Sequence, residues 1–212
     1  MISLNNIQKS FGNYDVLAIE KLVLPLGLYW LRGKNGSGKS TLLNILAGLI
    51  PFKGDVVLNE NIHIRKHPVA YRKLINHAAA EPVYPAFLPG TDLVEFVTSI
   101  KGGSADHVDT VKKGLDIGNY LANPTGSYSS GMLKKLSLLL AFIGNPAWVL
   151  LDEPFSTLDQ ASQKALCILI REKHEQGISF ILTSHHDIEP DEINFTQTFI
   201  LKDQKLTETN PV

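Results

Sequence analysis

Gly33-Lys34-Asn35-Gly36-Ser37-Gly38-Lys39-Ser40-Thr41 decides how this sequence is read. It fits the spacing G-x-x-x-x-G-K-[ST]. A short apolar run, Leu28-Tyr29-Trp30-Leu31, precedes it. Behind it, Leu42, Leu43, Leu46 and Leu49 share one side of a predicted helix over 39–48. A glycine-rich loop between a buried strand and a helix N-terminus suits phosphate. Glycines let successive backbone N–H groups turn inward as an anion nest. The helix adds its partly positive end. Lys39 can reach the β- and γ-phosphates of a nucleotide, and the Ser40 hydroxyl can ligate Mg²⁺.

Further along, Val149-Leu150-Leu151 runs into Asp152-Glu153-Pro154. An apolar strand ending in two carboxylates places them where open α/β sheets bind ligands. Beside a phosphate loop, Asp152 is expected to hold Mg²⁺ through water, and Glu153 to polarise the attacking water as a general base.

Between these two motifs the chain alternates strand and helix signals. Ile2–Gln8 and Val16–Leu24 read as strands joined by a turn at Phe11-Gly12-Asn13, and 55–58 and 74–79 are weaker strand candidates. The stretch from Thr91 to Gly126 is helical and more polar, with Thr91 a candidate N-cap. Gly131–Ile143 and Gln160–Gln176 are predicted helices, and 148–151 and 178–182 are strands apolar enough to be covered on both faces. Alternation of this kind means an α/β fold around a parallel sheet.

Composition agrees with one globular domain. The 212 residues are 44% hydrophobic and 19% charged, and 20 basic against 21 acidic residues give a net charge of -1. That balance disfavours nucleic acid as a partner. Cys167 is the sole cysteine, which excludes an internal disulfide. The apolar stretch 136–151 is broken by Ser137, Asn145 and Pro146 and falls short of the ~20 residues that cross a bilayer.

Three further runs complete a pattern. Ser129-Ser130-Gly131-Met132 stands at a helix start upstream of Asp152, Phe155-Ser156-Thr157-Leu158-Asp159 follows Glu153, and Thr183-Ser184-His185 closes the next strand. In this order the motifs resemble the nucleotide-binding domain of ABC ATPases over almost the whole chain. The resemblance implies a P-loop NTPase with a RecA-like parallel core, a small antiparallel β subdomain and an inserted helical subdomain at about 91–143, all within one domain over 1–212. It also implies ATP and Mg²⁺ as ligands, with Gly33 to Thr41 on the phosphates and Ser40 and Asp152 on the metal. Glu153 and His185 would be catalytic, His186 being the alternative to His185. Ser129 and Gly131 would contact the γ-phosphate of an ATP held by a second copy, and Asp159 would tie the two copies together. Phe11 resembles the aromatic that stacks on adenine, with Tyr14 behind it.

Two departures from the family pattern stand out. The signature run, usually Leu-Ser-Gly-Gly-Gln, reads Tyr128-Ser129-Ser130-Gly131-Met132, so Ser130 brings a Cβ where backbone approaches phosphate. The family's usual glutamine falls in Ala78-Ala79-Ala80-Glu81-Pro82, where either Ala80 leaves the contact unmade or Glu81 offers a carboxylate to Mg²⁺. Trp30, Trp148 and Cys167 are expected in the core, and Lys134-Lys135 on a solvated face.

The family resemblance implies an ATP-hydrolysing subunit on the cytoplasmic face of separate transmembrane permease subunits. It would pair with itself or a paralogue, with the permease meeting the 91–126 segment and the loop around Glu81. The alternatives are a soluble ABC-type ATPase, as in iron–sulfur cluster assembly, and a non-hydrolysing nucleotide sensor. A DNA-repair ATPase is disfavoured by the lack of a long coiled-coil insertion.

Overall fold

A computed structural model describes residues 1–184 and 193–209. Strands β1 (Ile2–Phe11) and β2 (Tyr14–Leu24) form a hairpin, and β3 (Leu28–Arg32) leads through the phosphate loop into helix α1 (Lys39–Leu46). Strands β4 (Lys53–Leu58) and β5 (Ile62–His63) follow, then α2 (Pro68–Leu74), which runs directly into β6 (Ile75–Ala78). Helices α3 (Gly90–Lys101), α4 (Ala105–Gly114) and α5 (Ser130–Phe142) precede β7 (Trp148–Leu151). The chain continues through α6 (Gln160–Glu175), β8 (Ser179–Thr183), β9 (Gln197–Lys202) and β10 (Lys205–Thr209).

Two sheets result. One is antiparallel, in the order β2-β1-β4-β5; the other has six strands in the order β10-β9-β3-β8-β7-β6. In the second sheet β9, β3, β8, β7 and β6 are mutually parallel, and β10 runs antiparallel to β9 at the edge. This is the expected α/β architecture with its parallel core and antiparallel β portion.

Parallel strands are covered on both faces here because their side chains alternate between two cores. Trp30, Val149, Leu151 and Phe180 pack against α5 and α6. Their neighbours Tyr29, Trp148, Leu150 and Ile181 pack against α1 and the antiparallel sheet. Trp30, Trp148 and Cys167 are buried, as expected. Polar clasps fix the layers: the Asn76 amide donates to the carbonyls of Ala141 and Ile143, both at 2.8 Å, fastening β6 to the end of α5.

Helix α3 begins one residue before the expected cap. Pro89, in extended conformation, takes the N-cap position and makes no side-chain cap bond. Thr91 instead turns its hydroxyl to Asp92 at 3.3 Å. The cause is packing. Gly90 is buried against Tyr128 and Leu121, and a Cβ on it would lie 2.6 Å from the Tyr128 hydroxyl oxygen. Residues 115–129 hold turns and one short 3₁₀ helix (Thr125–Ser127) rather than a continuation of the helical pattern.

Candidate functional site

The C-terminal ends of the parallel strands line one edge of the sheet, and the loops that leave them carry the candidate residues. The phosphate loop leaves β3. Gly38, the residue before α1, has a φ of 105°, and a Cβ on it would lie 2.8 Å from Val16 Cγ1. A Cβ on Gly33 would lie 2.6 Å from Ser37 Oγ and 2.7 Å from the Leu201 carbonyl oxygen. The Ser37 N–H donates to the Lys34 carbonyl at 3.1 Å, which closes the turn. Leu42 N–H bonds the Gly38 carbonyl at 2.9 Å, so the amides of α1's first turn have no partner within the helix. Lys34, Asn35, Gly36 and Ser40 are exposed, and Thr41 is half-buried.

Lys39 is buried at 6% exposure. Its ammonium folds back over the loop, donating to the carbonyls of Gly33 at 2.8 Å and Lys34 at 3.4 Å. It also stands 4.0 Å from Glu153 Oε1. The loop after β3 and the acidic end of β7 therefore meet, although β8 lies between the two strands.

Asp152 is held on several sides. Its N–H donates to the Ala78 carbonyl at 2.9 Å. Its carboxylate, 3% exposed, accepts the Thr183 hydroxyl at 2.7 Å. The same hydroxyl oxygen accepts the Glu153 N–H at 2.8 Å, so one threonine at the end of β8 aligns both acidic residues. Glu153 has a φ of 46°, a conformation that few non-glycine residues adopt and that concentrates at functional sites.

Ser129 is the exposed N-cap of α5 and accepts the Met132 N–H at 3.3 Å. A Cβ on Gly131 would lie 3.0 Å from the Thr157 carbonyl oxygen, which puts the 155–159 turn against the start of α5. Asp159 caps α6. It accepts the Ser162 N–H and hydroxyl, both at 2.8 Å, and meets Lys135 at 3.5 Å. The two bonds from Ser162, with Lys135 adding to them, hold the Asp159 carboxyl down at about 2.

Phe11 and Tyr14 pair across the tip of the β1–β2 hairpin, and both are exposed. Tyr14 lines a cleft of about 750 Å³ together with the phosphate loop and residues 200–204, and Phe11 does not. Lys9 instead lies over the Phe11 ring, 4.5 Å from its centre. Glu81 is exposed on the loop that follows β6, and Ala80 is half-buried beside it. His185 and His186 lie outside the described residues.

For Lys134 the structure corrects the expectation of a solvated face. Lys134 is 1% exposed. Its ammonium donates to the carbonyls of Ala79 at 2.9 Å and Asp152 at 3.2 Å. Burial lowers its pKa to about 8 despite the opposing pull of Asp152, Glu153 and Glu81. The sequence holds a signal for this: Lys134, Ser137, Leu138 and Ala141 fall at i, i+3, i+4 and i+7 on the buried stripe of α5. Lys135, by contrast, reaches the rim and pairs with Asp159.

The donors near the loop suit Mg²⁺. One buried carboxylate, Asp152, and one exposed hydroxyl, Ser40, are hard oxygen ligands. This ion usually takes one or two such groups and completes its shell with water and phosphate oxygens.

Residues 25–156, from before β3 to just past Glu153, match the family model described as ABC transporter. The chain belongs to the ABC transporter family. This ABC protein is 28% identical over 186 residues to the lantibiotic transport ATP-binding protein SrtF of Streptococcus pyogenes, covering 87% of the chain and 80% of that relative. It is 29% identical over 212 residues to the ABC transporter ATP-binding protein YtrB of Bacillus subtilis, covering 98% and 70%. Among solved structures, an ATP-binding subunit of an ABC transporter superposes with a TM-score of 0.88 at 21% identity, covering 99% of this chain and 89% of that one. A P-loop NTPase fold of the ABC type is thereby shown. Within this ABC fold, Thr183 and Lys134 stand at the site although the sequence reading gave them no role there.

Proposed function

We propose that this ABC protein binds Mg·ATP at the phosphate loop and hydrolyses it to drive a membrane transporter. The observation that carries the proposal is the approach of Lys39 to Glu153, which brings a phosphate-binding cation and a candidate general base to one spot. On this reading the loop amides, Lys39 and the first turn of α1 bind the phosphate oxygens. Ser40 and Asp152 hold Mg²⁺, whose charge offsets that of the phosphates. Glu153 orients a water and takes its proton as the oxygen adds to the γ-phosphorus. Tyr14, on the cleft wall, offers a π-face to the base, with Phe11 at the neighbouring strand end.

Hydrolysis would need two copies facing each other, each closing the other's ATP with Ser129 and Gly131 at the start of α5. The exposed cap at Ser129 and the packing of the 155–159 turn against Gly131 support this arrangement, with Asp159 between the copies. Separate transmembrane subunits would dock on the segment 91–126 and the loop at Glu81. An apolar groove of about 500 Å³ supports that placement; its walls include Leu49, Val69, Tyr84, Val97 and Ile100. Among the described residues no helix is long and apolar enough to cross a membrane. The two bacterial relatives, both named as ATP-binding proteins of transport systems, support the transport reading.

Phosphate release by the purified protein tests the hydrolytic core of this reading. Wild type is expected to turn over Mg·ATP. Glu153→Gln is expected to lose about 10²-fold or more in kcat while still binding nucleotide. A rate untouched by that substitution would contradict the assignment.

A further inference from the structure

We infer that Lys134 is a positioning residue for hydrolysis: its buried ammonium fastens the start of α5 to the C-terminal ends of β6 and β7, and so fixes where Asp152 and Glu153 stand beside the phosphate loop. The inference rests on the ATPase reading above.

The geometry is that of a bolt. Lys134 lies one helical turn beyond Ser130, and its ammonium reaches the first residue past β6, Ala79, and the first past β7, Asp152. Those two strands are adjacent and parallel. Asp152 is then gripped at three points: its N–H by Ala78, its carbonyl by Lys134 and its carboxylate by Thr183. Little freedom is left for the peptide that continues into Glu153. The charges facing Lys134 are the acidic groups of Asp152, Glu153 and Glu81, so its cation also offsets repulsion among carboxylates gathered near a polyphosphate.

A stabilising role alone is a weak reason for a lysine at this position. Burying an ammonium is costly, and a hydrophobic side chain of similar volume is often as stable or more so. What an aliphatic chain cannot do is hold two carbonyl oxygens at one point. Helix α5 also carries Ser129 and Gly131 at its start. A shift of that helix on meeting a second copy's nucleotide would therefore be passed through Lys134 to this copy's own Asp152 and Glu153. Positioning of this type has large leverage, since a displacement of about 1 Å at reacting groups can cost about 10²-fold in rate.

The test compares wild type, Lys134→Met and Lys134→Gln as full chains, measuring phosphate release against ATP and against Mg²⁺, with urea midpoints alongside. Lys134→Met is expected to lower kcat by about 10- to 100-fold. Its KM for ATP is expected to stay within about threefold, because the phosphate loop is untouched. Half-maximal activity should need more Mg²⁺. Lys134→Gln, whose amide can donate to both carbonyls, is expected to recover part of the lost kcat. Wild-type kcat in a folded Lys134→Met overturns the role. So does a kcat loss that merely follows the folded fraction, with no gain from glutamine. Should the methionine variant fail to fold, Lys134→Leu, which likewise cannot donate to either carbonyl, takes its place, and wild-type kcat in that folded variant overturns the role equally. Absence of hydrolysis in wild type defeats the ATPase reading and this role with it, whereas an unchanged kcat in a folded aliphatic variant of Lys134 defeats the role of Lys134 alone.

Discussion

A methyl group added at position 38 meets Val16 Cγ1 at 2.8 Å on a backbone whose φ of 105° already disfavours side chains. Gly38→Ala is therefore expected to cost about 1–3 kcal/mol of stability. It should weaken Mg·ATP binding by tenfold or more as the loop shifts, which urea unfolding and nucleotide titration would measure. Asp159 offers a test by pH. Its carboxyl is held at about 2, below the ordinary 3.8, by Ser162. A depressed carboxyl stabilises the fold above its ordinary value, and that contribution fades as pH falls from about 4 towards 2. The difference in urea midpoint between wild type and Asp159→Asn should thus be steady from neutral pH to about 5 and then shrink to nothing. The phosphate loop and the Asp152-Glu153 pair were legible because each is dictated by a short run of sequence. The bonds that Thr183 and Lys134 make were not, because their partner Asp152 lies 31 and 18 residues away and becomes a neighbour only when strands align.

Strand β8 sits between β3 and β7, and Thr183 at its end is the crosspiece that holds the Asp152 carboxylate and the Glu153 backbone N–H. Thr183→Val keeps the shape and removes the hydroxyl. It leaves the Glu153 N–H and an Asp152 oxygen without that partner, at a cost of about 1–3 kcal/mol. Its kcat should fall more than its KM rises, since the phosphate loop is unaffected; steady-state kinetics with a urea series would show both. The parallel strands were readable because double-sided burial writes continuous apolar runs. Helix α2 was not: of its seven residues only Tyr71 is buried, so no apolar stripe marks it. The closing strand β10 is largely exposed and polar, and pairing with β9 rather than its own pattern makes it a strand.

For the molecule as a whole, the groove beside α2, α3 and β6 and the face around Ser129 and Asp159 are the surfaces the proposed transporter would use. Val69 and Ile100 are exposed at 64% and 51% on the groove. Changing both to Glu is expected to abolish co-purification with membrane subunits while leaving the unfolding free energy from urea titration within about 0.5 kcal/mol of wild type. Retained co-purification would move the docking surface elsewhere. The global fold followed from the order of motifs, whereas the groove did not, because it is assembled from the turn after α1 together with α2, β6, α3 and α5 and no one segment announces it. The most direct measurement is calorimetry of Mg·ATP binding to the Glu153→Gln protein, in which turnover does not obscure the heat. Saturable binding of one nucleotide per chain, weakened about 100-fold or more when Lys39→Ala is added, is the expected result. No heat of binding, or equal affinity with and without Lys39, would contradict the account at its root.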